Sequence, residues 1–172
     1  INDFYKTVVE EIDTILPQSA ISIEVYADEN SAAEDLFLQG KEYSKWVKNA
    51  YIKYPITKSG LEAAELSVAA GLRVNMTLCF SEEQAAAVYV ATKGAGKGQV
   101  LISPFVGRLD DVSQDGISLI ENISKLYSSG DGHVEILAAS IRSTEHLTRL
   151  LDLSVDIITA PIELFEDYEK KK

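Results

Sequence analysis

Short β-branched runs alternate with longer amphipathic ones along the whole chain, at intervals of very roughly 25 to 35 residues, and this recurrence restricts the fold more than any other feature. It is the pattern of βα units in a parallel sheet. Phe4, Val8, Ile12 and Ile15 stand three or four apart and predict an opening helix, followed by a strand over residues 21–27 and a helix carrying Leu36, Tyr43, Trp46 and Val47. A strand at 51–56 leads to Thr57, a helix cap, and to a helix built on Leu61, Ala64 and Val68 that ends near Gly71. After a strand at 73–80, Ser81 and Gln84 form a capping box before an Ala-rich helix that stops at Gly94. Strands at 100–106, 134–140 and 156–160 alternate with helices at 116–127 and 144–153, giving six strands. No linker or low-complexity stretch divides the chain, so residues 1–172 read as one domain, with Lys170-Lys171-Lys172 as a solvated tail.

Strand faces separate an open sheet from a barrel. Helices cover both faces of an open parallel sheet, and its strands read apolar throughout. Here Ile21, Ile23 and Val25 alternate with Ser22, Glu24 and Tyr26; Val74, Met76, Leu78 and Phe80 alternate with Asn75, Thr77 and Cys79; and Lys53 stands between Ile52 and Tyr54. A (β/α)8 barrel turns one strand face toward the outer helices and the other inward, where polar groups near the C-terminal strand ends line the active site. The barrel accounts for the polar face.

Composition narrows the partners. Sixteen Lys and Arg against 27 Asp and Glu give a formal charge of -11, which argues against a broad nucleic-acid or anionic-membrane surface. The single cysteine, Cys79, allows no intrachain disulfide, and there is no zinc-type Cys/His cluster. The most apolar stretch, residues 66–78, is broken by Arg73 and Asn75 and falls short of the roughly 20 residues of a membrane span. The start, Ile1-Asn2-Asp3, has neither an initiator Met nor the basic and apolar parts of a signal peptide, as in a chain processed or cut from something longer; nothing in the cysteine usage suggests an oxidising compartment, and a cytoplasmic protein is expected.

The inward face would bring Glu24, Lys53, Asn75, Thr77, Ser103, Ser140 and Arg142 together, with Arg108 just past its strand. An enclosed lysine loses hydration, which disfavours its charged form and frees the amine to attack a carbonyl, giving a Schiff base. Glu24 and Thr77 could hold a water and relay protons during dehydration of the carbinolamine, and Arg108, Arg142 and the Ser140 hydroxyl offer a phosphate grip. A structural reading of the same residues stays open. A strand lysine is more often an edge or snorkelling residue, a buried Glu and Lys can be an ion pair, and Asn75 and Thr77 can satisfy backbone groups.

At these residues the sequence resembles the transaldolase family. The matching blocks are Ile21-Ser22-Ile23-Glu24-Val25; Ile52-Lys53-Tyr54-Pro55-Ile56-Thr57 with Gly60-Leu61-Glu62-Ala63; Asn75-Met76-Thr77-Leu78-Cys79-Phe80-Ser81 with Gln84-Ala85; Leu101-Ile102-Ser103-Pro104-Phe105-Val106-Gly107-Arg108 with Asp110-Asp111; and Ile136-Leu137-Ala138-Ala139-Ser140-Ile141-Arg142. They keep the family's order over nearly the whole chain. The resemblance implies an α/β fold, a (β/α)8 TIM barrel of transaldolase type, and a reaction of the pentose phosphate pathway. A lysine Schiff base passes a dihydroxyacetone unit between sugar phosphates without metal or organic cofactor. It places Lys53 on the Schiff-base lysine, Glu24 and Thr77 on the pair that positions the catalytic water, Asn75 and Ser103 on groups that bond the sugar, and Arg108, Ser140 and Arg142 on the phosphate site. It also implies a homo-oligomer. A subgroup of fructose 6-phosphate aldolases tends to carry Gln and Tyr where this chain has Glu24 and Phe105, so the pair here is that expected of transfer over simple cleavage.

The match is incomplete at the start. The family's first strand supplies an acid/base Asp and its second an Asn in a Thr-Asn-Pro segment, and neither has a counterpart here. Six of eight barrel strands are expected, with a final helix from Ile162 reduced to its first turns. A piece of a longer transaldolase, a shortened homologue with a sugar-phosphate-binding or structural role, and a separate fragment are the three explanations. Other motifs carry less. Gly94-Ala95-Gly96-Lys97-Gly98 precedes a strand and lacks the Ser or Thr of a phosphate loop, so it reads as a turn. His133 and His146 are expected apart, on a loop and a helix surface. Asp110-Asp111 suits a loop or helix start better than a metal site. Cys79 is expected to fill the barrel interior.

Overall fold

Four polar residues set where helices begin in the computed structural model, which describes residues 2–171; Ile1 and Lys172, the ends of the chain, lie outside them. Thr57 Oγ1 accepts from the Gly60 amide, Ser81 Oγ from Gln84, Ser143 Oγ from His146, and the Asp115 side chain from both Ile117 and Ser118. Each satisfies amide groups that a first helical turn leaves without a partner. The elements follow in the order α1 (Asn2–Ile15), β1 (Ile21–Glu24), α2 (Ala33–Tyr43), β2 (Ala50–Pro55), α3 (Lys58–Ala69), β3 (Val74–Cys79), α4 (Glu82–Ala91), β4 (Val100–Pro104), α5 (Val106–Asp110), α6 (Gly116–Tyr127), β5 (Val134–Ala138), α7 (Thr144–Asp152), β6 (Ile157–Ile158) and α8 (Ile162–Lys170).

The six strands form one parallel sheet in the order β1-β2-β3-β4-β5-β6. Sequential order with a helix between neighbours is barrel topology, and the sheet curls into part of a TIM barrel of transaldolase type. Its helix-facing side is a continuous apolar core of Ile23, Ile52, Tyr54, Val74, Met76, Val100, Ile102 and Ile136 against Leu36, Ala63, Ala64, Val88, Ile120 and Ile123. Among the described residues β1 pairs with no strand but β2, and β6 with none but β5. On β1 the Glu24 amide, which points away from β2, donates to the Tyr5 hydroxyl of α1 at 2.9 Å. Tyr5 in turn packs edge-on against Tyr43 and Trp46.

The strands are shorter than the sequence pattern predicts: β1 ends at Glu24 and β6 spans two residues. The chain after β4 turns into α5, a five-residue helix the periodicity does not anticipate. In β3 the alternation breaks. Leu78 takes a positive φ of 62°, the register to β4 shifts between Met76 and Cys79, and the residues that follow exchange faces. Cys79 therefore joins the apolar core beneath the helices, not the barrel interior expected for it, and its thiol donates to the Ser81 carbonyl at 3.6 Å. His133 is likewise buried, not on the surface of a loop. Its ring lies 4.3 Å from that of Tyr89, between Thr92 Oγ1 and the Asp131 carboxylate. At the other end Lys171 Nζ donates to Thr144 Oγ1 and Lys170 pairs with Asp167, so these tail residues are engaged.

Candidate active site

Lys53 reaches the inner face because Ile52 and Tyr54, its neighbours in β2, are both fully buried on the other face. That anchoring relies on Gly40 of α2. A Cβ there would lie 2.0 Å from Tyr54 Oη and 2.7 Å from Ile52 Cγ2, so the helix seats on the strand only without a side chain. Tyr54 Oη shares a 2.9 Å hydrogen bond with Ser67 Oγ of α3, and burial pushes its phenol up from the ordinary tyrosine range. The strand is pinned from behind at the residues on either side of the lysine.

Register does the next step. Glu24 of β1 lies opposite Lys53, and Lys53 opposite Asn75 of β3. Lys53 Nζ donates to Glu24 Oε2 at 2.9 Å, with the lysine side chain 25% and the glutamate 50% exposed. Beside them Ser103 Oγ donates to Asn75 Oδ1 at 2.7 Å, and Asn75 Nδ2 donates to Ser22 Oγ at 2.9 Å. Because an amide donates only through nitrogen and accepts only through oxygen, the direction of this chain is fixed from Ser103 to Ser22. Asn75 and Ser103 are each 2% exposed, whereas Ser22 at the end of this hydrogen-bond chain is exposed.

These groups open on a cavity of about 310 Å³ lined by Ser22, Lys53, Asn75, Ser103, Phe105, Ser140 and Thr159, with Leu137 and Ala139 as its apolar floor. The cavity runs from Ser22, Lys53 and Asn75 within β1, β2 and β3 to the C-terminal ends of β4, β5 and β6, the end that is the catalytic face of a TIM barrel. Thr77 is fully buried one register step beyond Asn75, and its hydroxyl has no hydrogen-bond partner among the described residues. Phe105 packs edge-on against Phe80 with centroids 5.8 Å apart, and the Arg108 guanidinium stands 5.6 Å from its centroid. Ser140 leaves β5 with a φ of 59°, and its carbonyl accepts from the Gly107 amide at 2.9 Å. Arg142, two residues on, donates from Nη1 to Asp111 Oδ1.

Of the residues singled out from sequence, Lys53, Asn75, Ser103, Phe105 and Ser140 thus line one cavity, and Glu24 joins it through Lys53. Thr77, Arg108 and Arg142 are not among its lining: Thr77 is fully buried in β3, and the arginines stand on α5 and on the loop that follows Ser140. Two polar lining residues, Ser22 and Thr159, were not among the site residues read from sequence. Ser22 sits on the polar face two positions before Glu24, so the alternation that marked Glu24 could have marked it. Thr159 follows a strand too short to show a face. The Gly94–Gly98 segment is a turn, closed by the Gly96 amide on Gln99 Oε1. His146 Nε2 lies 3.0 Å from Asp110 Oδ2.

A family model described as Transaldolase/Fructose-6-phosphate aldolase matches residues 3–172. The chain belongs to this family. A protein named "Probable transaldolase" from Dehalococcoides mccartyi is 38% identical over 160 residues, covering 93% of this chain and 70% of the relative. Proteins of the same name from Paracoccus denitrificans and Brachyspira hyodysenteriae are 41% and 39% identical, over 90% and 98% of this chain and 66% and 73% of their own lengths. The chain thus spans about two thirds to three quarters of these transaldolase relatives. The family acts on sugar phosphates. No helix among the described residues is long and apolar enough to cross a membrane.

Proposed function

We propose that this chain carries the reaction centre of a transaldolase, with Lys53 as the nucleophile that forms a Schiff base with the C2 carbonyl of a ketose phosphate. The observation that supports this best is the Lys53–Glu24 pair beside a cavity that Asn75, Ser103 and Ser140 line together with the apolar Phe105, Leu137 and Ala139. An ammonium cannot attack. The Glu24 carboxylate, 2.9 Å away, is the nearest acceptor for the proton that must leave, and it can return that proton when the carbinolamine expels water. The Thr77 hydroxyl, buried without a protein partner, supplies a donor and an acceptor for the water this step releases.

Once formed, the iminium withdraws electrons from the C3–C4 bond. That bond breaks as the C4 hydroxyl loses its proton; an aldose phosphate leaves, and a dihydroxyacetone enamine stays on Lys53. Addition of the enamine carbon to the C1 carbonyl of a second aldose phosphate reverses the step, and hydrolysis frees the lysine. Asn75 and Ser103 hydrogen-bond the sugar hydroxyls, and Arg108, Ser140 and Arg142 meet the phosphate. The base that accepts the C4 proton is, in the family, an aspartate of the first strand, to which none of the six strands here has a counterpart. Transfer is favoured over release because Glu24 and Phe105 stand where the aldolase subgroup tends to have Gln and Tyr. The family resemblance supports the same proposal's further parts, a role in the pentose phosphate pathway, in the cytoplasm and as a homo-oligomer.

Borohydride trapping tests the reading. Incubation with fructose 6-phosphate followed by reduction is expected to add one substrate-derived unit, the reduced ketose phosphate or the reduced dihydroxyacetone left after cleavage, located on Lys53 by peptide mass, and none in Lys53→Ala. A folded wild-type chain that gains no such mass would overturn the Schiff-base assignment.

A further inference from the structure

Arg142 is held more firmly than an exposed arginine has reason to be. Its side chain is 48% exposed, and a surface ion pair alone would leave it free to sample rotamers. Here it lies along one turn of α5. At the start of that turn, a Cβ on Gly107 would come within 2.7 Å of Arg142 Nε and 2.8 Å of its Cδ, so the side chain rests against bare backbone. At the end of the turn, Asp111 Oδ1 accepts from Nη1. The loop that carries Arg142 is stitched to the same place, the Gly107 amide donating to the Ser140 carbonyl and the Val106 amide to that of Ala139. The guanidinium is therefore fixed at Cδ, Nε and Nη1, while Nη2 has no hydrogen-bond partner among the described residues.

We infer that Asp111 is a positioning residue that holds Arg142 with its free nitrogen ready for the phosphate of the sugar; this rests on the proposed role of Arg142 as a phosphate ligand. A guanidinium recognises phosphate through the directions of its N–H groups, so fixing its plane beforehand removes an ordering cost from binding. The division of labour between the tandem acids follows. Asp110 holds His146 of α7 and the Gly116 amide of α6, which joins the helices around the site, and Asp111 holds the arginine. Asp111 does not touch substrate. Its carboxylate also repels a phosphate dianion, so the sign of its removal is informative: a positioning residue weakens phosphate binding when neutralised, and a competitor strengthens it.

The experiment compares wild type, Asp111→Asn, Asp111→Glu and Arg142→Gln, each titrated calorimetrically with inorganic phosphate and, in a Lys53→Ala background, with fructose 6-phosphate. In parallel, borohydride trapping with dihydroxyacetone, which has no phosphate, reads the lysine alone. Asp111→Asn is expected to weaken both phosphate ligands about tenfold, Asp111→Glu to recover most of that loss, and the half-saturating dihydroxyacetone concentration to stay at the wild-type value. Phosphate binding in Asp111→Asn that is unchanged or tighter would overturn the inference, as would wild-type phosphate binding no better than that of Arg142→Gln. A loss shared equally by dihydroxyacetone would mark general disruption and overturn it as well. Absence of a dihydroxyacetone adduct in wild type would count against the Schiff base and leave the phosphate titrations to decide on Asp111.

Discussion

Replacing Gly40 with alanine should damage the protein although it improves the helix. In the interior of α2, alanine is favoured over glycine by about 1 kcal/mol on intrinsic propensity. Against that, the new Cβ would stand 2.0 Å from Tyr54 Oη and 2.7 Å from Ile52 Cγ2, and both side chains are fully buried. Tyr54 would have to retreat by more than about an ångström to reach ordinary van der Waals separation. Its hydroxyl is bonded to Ser67 Oγ at 2.9 Å, so retreat also breaks a buried hydrogen bond. Overpacking of this kind costs about 1–3 kcal/mol and the broken bond about 1–3 more, for a net loss of about 1–5 kcal/mol, centred on about 3, after the helical gain. For a chain of this length that lowers the thermal midpoint by about 5–10 °C, read by circular dichroism. The offending atom is a hydroxyl, which gives a sharper test. Tyr54→Phe removes it, so Gly40→Ala and Tyr54→Phe should be markedly non-additive, with Gly40→Ala costing less in the phenylalanine background. Gly40→Ala as stable as wild type, or strictly additive with Tyr54→Phe, would refute the close-packing argument. Because Ile52 and Tyr54 bracket Lys53, the same variant should also slow trapping at the lysine.

Burial pushes the Cys79 thiol up to about 11, so at pH 8 it is protonated and unreachable; Ellman's reagent should label it at least about a hundredfold more slowly in the native chain than in denaturant, and labelling at comparable rates would contradict its place in the core. The His133 ring, with help from the Tyr89 hydroxyl, lowers the Asp131 carboxyl from 3.8 to about 2. A carboxylate depressed on folding stabilises above its unfolded value, and that contribution is lost as pH falls from about 4 to about 2. Thermal midpoints measured across that window should therefore fall less steeply in Asp131→Asn than in wild type. Asp115→Ala deprives the Ile117 and Ser118 amides of their acceptor at the start of α6 and should cost about 1 kcal/mol in urea unfolding, without change in the m-value.

Part of this architecture is legible from the chain because it rests on local rules. Helix starts at Thr57, Ser81 and Ser143 follow from side chains that bond amides three residues on, and the sequential strand order follows from the polar inner face, which suits a barrel and not an open sheet covered on both sides. The misreadings share a cause. Cys79 faces the helices because Leu78 adopts φ 62° and shifts the register, an event that leaves the apolar pattern intact while reversing what it means. His133 is polar and follows Gly-Asp-Gly, which reads as an exposed turn, yet Tyr89 and Thr92, more than forty positions earlier, enclose it. The Asp111–Arg142 pair is also long-range, 31 positions apart, and no spacing rule could have found it.

The reactive row is different, since its members come from three strands and were still visible. Their alignment follows from the core. A strand offset by one residue would turn all its apolar side chains from the helices to the barrel interior, so burial of Ile23, Ile52 and Val74 allows each strand only registers that keep its alternate residues inside. Glu24, Lys53 and Asn75 are those alternates, and parallel neighbours lie about 4.8 Å apart, close enough for a glutamate to meet a lysine directly. The contact of 2.9 Å between them is thus a consequence of apolar packing on the opposite face. A substitution such as Ile52→Ser, which touches no polar group of the site, should for this reason disturb Lys53 trapping as well as stability, whereas Leu66→Ser on the exposed side of α3 should disturb neither.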